Sequence, residues 1–189
     1  PTVSVTDGTV DEKGLVDGSG EVANPAPNTD NSETTTGSFS YSTGNDTLAK
    51  LEVQDKDGVW IDVTSAGAHV VTGTYGTLTV TNTAGVYTWS YTLADNTLNH
   101  TDTIAGGDGD SDRGTADQVF DDFATRATDS DGDRTDGDGN SAGETLRISI
   151  NDDGPTAVAD GPLTPAEDTA VTFNAFANDV FGADGVDTD

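Results

Sequence analysis

Apolar and polar residues alternate in short runs along most of this chain. The clearest run sets Tyr87, Trp89, Tyr91 and Leu93 against Val86, Thr88, Ser90 and Thr92. A period of two built from aromatic and β-branched residues predicts a strand over "GVYTWSYTL", Gly85–Leu93. Just before it, "YGTLTV" (Tyr75–Val80) puts Leu78 and Val80 on one face, and the polar "TNTAG" (Thr81–Gly85) predicts the hairpin connection. Further strands are predicted at "GSFSYS" (Gly37–Ser42), "LAKLEVQ" (Leu48–Gln54), "GVWIDV" (Gly58–Val63), "FATRAT" (Phe123–Thr128) and "ETLRISI" (Glu144–Ile150). "DKDG", Asp55–Gly58, reads as a plain tight turn. No segment sustains a long 3.6-residue apolar period, and "ADQVFDDF" (Ala116–Phe123) is expected to form one helical turn. Many short strands separated by Gly, Asn and Asp predict an all-β, antiparallel sandwich.

The chain also echoes itself. It opens "PTVSVTDGTVDEKG" and, after "NDDG" (Asn151–Gly154), resumes "PTAVADGPLTPAED" at Pro155. Each copy has Pro-Thr, a short apolar alternation, an Asp-Gly and an acidic pair, Asp11-Glu12 or Glu167-Asp168. The expected division is a sandwich repeat over 1–154, with 155–189 as linker and truncated start of the next repeat. The absence of Met predicts a piece of a longer polypeptide.

Charge narrows the function. Lys+Arg total 7 against Asp+Glu 35, a formal net charge of −28. That balance argues against nucleic acid and against an anionic membrane surface, both of which need clustered basic residues. No stretch approaches the roughly 20 apolar residues of a membrane span, and no signal peptide is seen. With no Cys, disulfides and thiolate metal sites are excluded. Catalysis is not expected. The two histidines, His69 and His100, sit in unrelated polar contexts, and no nucleophile elbow or phosphate-cradling loop is present.

The carboxylates crowd into loops. "TDSDGDRTDGDGN" spaces Asp129, Asp131 and Asp133, then Asp136, Asp138 and Asn140, at alternate positions. Ca2+ takes about six to eight oxygen ligands, and alternate Asp residues in a Gly-rich loop can turn several inward. Neither half is an EF-hand: Arg134 stands where the sharp-turn Gly belongs and Asn140 where the bidentate Glu belongs. The bland alternative is a solvated acidic loop. "GGDGDSDRG" (Gly106–Gly114) approaches a calcium-binding nonapeptide, but Ser111 replaces its Asp and no second copy follows. Asp108, Asp110 and Asp112 remain candidates for an ion, with a solvated loop as the alternative.

Taken in order, "GTYGTLTV…GVYTWSYTL", "DQVFDDFATRATDSDGD", "LRISINDDGP" and "FANDVFGADG" resemble VCBS-like repeats of giant bacterial RTX adhesins exported by type I secretion. The resemblance spans roughly Gly73 to Gly185; "NPAPNTDNSETTTGS" (Asn24–Ser38) departs from it, in keeping with an elaborated module. It implies an extracellular, Ig-like sandwich at the bacterial cell surface, strung with neighbouring repeats, stiffened by calcium and serving adhesion or biofilm formation. Asn151, Asp152 and Asp153 then resemble the linker ligands of cadherin-like arrays, with Asp160 and Glu167 as candidate completing acids. A polar linker closed by a Pro-fixed turn is the alternative.

Three readings follow: a monomeric, calcium-rigidified extender; a module holding a sugar or peptide through bound calcium or Trp60 and Trp89; and a freely solvated acidic protein of a high-salt organism. Both tryptophans lie in expected strands, where core packing is the ordinary reading.

Overall fold

Alternation of inward and outward side chains organises the chain into ten strands: β1 (Thr2–Val5), β2 (Gly8–Asp11), β3 (Thr34–Ser42), β4 (Leu48–Gln54), β5 (Trp60–Asp62), β6 (Gly67–Thr72), β7 (Gly76–Thr83), β8 (Val86–Leu93), β9 (Gly114–Asp129) and β10 (Thr145–Asp152). The computed structural model describes residues 1–16, 18–21, 29–94, 114–135, 144–164, 167–168 and 170–183. The strands form two five-stranded sheets, β1-β3-β8-β7-β6 and β2-β10-β9-β4-β5. The expected all-β sandwich is the observed architecture. Pairing is antiparallel except between β2 and β10, which run parallel with Asp11 opposite Asn151.

The core lies between the sheets. Leu78, Val80, Trp89 and Tyr91 face Leu51, Val53, Phe123, Leu146, Ile148 and Ile150, all essentially buried. Full burial of such a side chain contributes about 1.5–3 kcal/mol. Trp89 packs where Gly8 and Gly37 leave room; a Cβ on Gly8 would lie 2.7 Å from its ring.

Several expectations are corrected. "ADQVFDDF" is strand, not a helical turn, because Val119, Asp121 and Phe123 face inward while Phe120 and Asp122 face out. The inward Asp121 disguises the period. It is 2% exposed and accepts hydrogen bonds from the Thr74 and Tyr75 N–H groups at 3.0 and 3.1 Å and the Tyr91 hydroxyl at 2.9 Å. The carboxylate thereby ties the β6–β7 turn of one sheet to β9 of the other. The β7–β8 connection is only Ala84-Gly85, with Thr83 opposite Val86. Both residues have positive φ, 52° and 86°, the twist-matched two-residue turn. Trp60 is not a core residue: it lies half-buried on edge strand β5, with the Arg126 guanidinium 4.0 Å from its ring centroid. Residues described beyond 154 add no strand to either sheet; Thr156 and Val180 bridge one another, and Val158, Leu163, Phe173 and Phe176 are exposed. Among the described residues no helix is long and apolar enough to cross a membrane.

Candidate metal centres

Two places concentrate carboxylates. The first lies where β9 ends. Its last residue, Asp129, opens a tight reversal through Gly132, whose φ is 98°. The Asp129 N–H donates to the Asp133 carbonyl at 3.0 Å, and the Asp133 N–H donates to Asp129 Oδ1 at 2.9 Å. This turn sets Asp131 beside Asp129. The loop between β3 and β4 then approaches, held by the Thr47 N–H donating to Ser130 Oγ at 3.4 Å, and delivers Asp46. Carboxylate oxygens of Asp46, Asp129 and Asp131 lie within 4.8 Å of one another.

The electrostatics of this trio are those of crowded like charges. Asp129 is only 4% exposed, while Asp46 and Asp131 are open to solvent. A hydrogen bond with Asp129, and then its charge, pushes the Asp131 carboxyl above the ordinary carboxylate range. The same hydrogen bond holds Asp129 below it. Like charge this close makes Asp131 harder to ionise beside an ionised Asp129. A hard divalent cation satisfies such an oxygen set better than a proton, and carboxylate oxygens are the donors Ca2+ prefers. Of the three alternate Asp residues in "DSDGD", the fold therefore brings two together, and the third carboxylate comes from Asp46 instead of Asp133. Sequence spacing could not reveal Asp46, which sits in a turn 83 residues earlier than Asp129. Asp136, Asp138, Asn140, Asp108, Asp110 and Asp112 lie outside the described residues, as does His100.

The second concentration is at the C-terminal ends of β2 and β10. Parallel pairing puts Asp11 beside Asn151, so the residues that follow each strand converge. After β2 comes a 3-10 turn, Glu12–Gly14, capped by Asp11, whose carboxylate accepts from the Lys13 N–H at 3.1 Å. Glu12 is fully buried; Asp152 and Asp153 are 3% and 6% exposed. The Ser19 N–H donates to Asp153 Oδ2 at 2.6 Å and its hydroxyl donates to the other oxygen. Asn151 donates to Asp11 Oδ2 at 3.4 Å and accepts from Gln118 at 2.5 Å. Glu33 Oε2 is also buried, without a hydrogen-bond partner, against Gly14. Lys13 Nζ stands 3.9 Å from Asp11 Oδ2.

Burying one carboxylate costs several kcal/mol unless charge or hydrogen bonds offset it. Glu12, Asp152 and Asp153 are all buried at one end of the sandwich, and the two hydrogen bonds from Ser19 offset part of that cost at Asp153. Of the predicted linker ligands, Asp152 and Asp153 are turned inward and Asn151 braces Asp11. Glu12 is buried after β2 and Glu33 Oε2 is buried against Gly14; neither was a candidate, although Asp11-Glu12 had stood out as half of the internal echo. Asp160 and Glu167 stay exposed, and the backbone at Gly182 packs on Asp153 and Gly154. His69 Nε2 lies 2.8 Å from the Ser65 carbonyl. Comparison with known proteins finds no matching family, curated protein or solved structure.

Proposed function

We propose that this chain is a calcium-stabilised structural module, an extender, of a bacterial RTX adhesin at the cell surface. The observation that carries the reading is the Asp46–Asp129–Asp131 trio at the β9 reversal, whose carboxylate oxygens lie within 4.8 Å of one another. The resemblance to VCBS-like repeats supports it, and so does the burial of Glu12, Asp152 and Asp153 after β2 and β10. At the β9 reversal, Asp46, Asp129 and Asp131 would hold the ion, which supplies the positive charge that lets these like carboxylates pack together. Asn151 and Ser19 fix the orientation of Asp11 and Asp153. An ion at the β9 reversal ties the β3–β4 loop to the end of β9 and stiffens the sandwich, which is what an extender requires.

The runner-up is a sugar- or peptide-binding module of the same adhesin. Trp60 favours it by lying outside the core, although Arg126 already covers one face of its ring.

Thermal melts of metal-stripped protein, titrated with calcium and with magnesium and sodium as controls, test the proposal. A ligand that binds only the fold adds about 2.7 kcal/mol at a hundred times its Kd. The expected result is a saturable, calcium-selective rise in Tm. A melt indifferent to calcium removes the mechanism, and equal rescue by sodium establishes the freely solvated, salt-requiring protein instead.

A further inference from the structure

The first sheet turns an uncharged face to solvent in a molecule of net charge −28. None of β1, β3, β6, β7 or β8 contains Asp, Glu, Lys or Arg, whereas every strand of the second sheet contains at least one. The register sets hydroxyl side chains in rows: Thr36, Ser90 and Thr79 form one, Ser38, Thr88 and Thr81 the next. Adjacent strands lie about 4.8 Å apart, and same-face residues recur about every 6.7 Å along each. β-Propensity explains Thr in a strand. It does not explain the missing charge, because solvent-facing positions of the second sheet carry Lys50, Asp122 and Arg147.

These hydroxyls are not spent on one another. Thr34 and Thr92, 3.5 Å apart, are the one hydroxyl pair on this face within hydrogen-bonding distance among the described residues. The two rows keep donors and acceptors for an outside partner. Methyl groups accompany them, from threonine and from Val70 and Val86, which are 63% and 64% exposed.

We propose that this face is a docking surface for an uncharged, hydroxyl-rich polysaccharide. Charge selects the class of ligand. An acidic polymer is repelled by the molecule as a whole, and a cationic one is drawn to the carboxylates of the second sheet and the two acidic ends. An uncharged glycan meets neither bias. Its hydroxyls replace the water bound to the Thr and Ser rows, while its C–H faces rest on the methyls. A second copy of this chain fits less well, since Ser is depleted in protein interfaces and this face presents no aromatic anchor. The inference does not rest on calcium at the acidic ends.

The test is a nuclear magnetic resonance titration of the isotope-labelled full chain, kept in calcium. The probes are neutral oligomers of dextran, cellulose and chitin, with alginate as acidic control. The expected result is amide shifts confined to β3, β7 and β8 with at least one neutral oligomer and none with alginate. Thr79→Glu with Thr88→Glu should weaken binding about tenfold or more; Thr79→Val with Thr88→Val, which removes hydroxyls without adding charge and keeps β-branched residues in the strands, should weaken it as well. Silence with every neutral oligomer overturns the proposal, as do shifts confined to the second sheet. Concentration-dependent shifts of the same face without glycan assign it to a second copy instead. A calcium-indifferent melt, by contrast, leaves this result standing.

Discussion

Asp121 and Asp131 are both aspartates beside another acid in an acidic chain, yet they do opposite things. Asp121 is held by three donors and needs no ion. Asp121→Asn keeps the shape but sets an amide N–H against backbone N–H groups. Hydrogen bonds to a charged group contribute about 1.5–3 kcal/mol, so a loss of that order is expected in urea unfolding, with no change in calcium response. Asp131 has the opposite setting, with no backbone cage and a like charge alongside. The trio predicts a contrast that loop spacing alone would not. Asp46→Asn and Asp131→Asn should each cut the calcium-induced rise in Tm, whereas Asp133→Asn should cut it less. Equal losses at all three positions would restore the alternating-Asp reading of the loop.

At the scale of elements, the hairpin shows how local chemistry and tertiary context divide the work. The β7–β8 pair was legible because Leu78, Val80, Trp89 and Tyr91 repeat at period two and are all buried. Its turn was placed too broadly, because Thr81–Thr83 continue the ladder and only Ala84-Gly85 reverses the chain. Ala84 there adopts a conformation that costs an ordinary L-residue about 1–2 kcal/mol, and Asn tolerates it better. Ala84→Asn is expected to raise stability by about 0.5–1 kcal/mol, a Tm gain of a few degrees by calorimetry, at unchanged calcium response. The first half of β9 was illegible for the converse reason. An inward Asp looks like a break in apolar alternation until the donors that satisfy it, 46 and 47 residues away in sequence, are in place.

For the whole molecule, the net charge of −28 is a property of composition, while its distribution is a property of the fold. Carboxylates gather on the second sheet and at its ends, and the first sheet carries none. Self-repulsion destabilises the compact state. Screening by salt relieves exposed pairs over about 10 Å at 0.1 M ionic strength, and buried groups much less. Sodium should therefore recover only part of what calcium recovers, since Glu12, Asp152 and Asp153 lie beyond its reach.

What the sequence determined by itself was whatever depends on neighbours along the chain: strand alternation, the Asp-rich turns, the absence of thiol chemistry and the excess of acid. From these came the β-sandwich and the Asp129–Asp131 pair. Tertiary structure decided which acids meet. Asp46 reaches Asp129 across two loops, Glu12 and Asp152 converge because β2 runs parallel to β10, and Asp121 is sequestered by a turn of the other sheet. Each is a contact between residues far apart in the chain. The period of two tells which way a side chain points, but not which strand lies beside it.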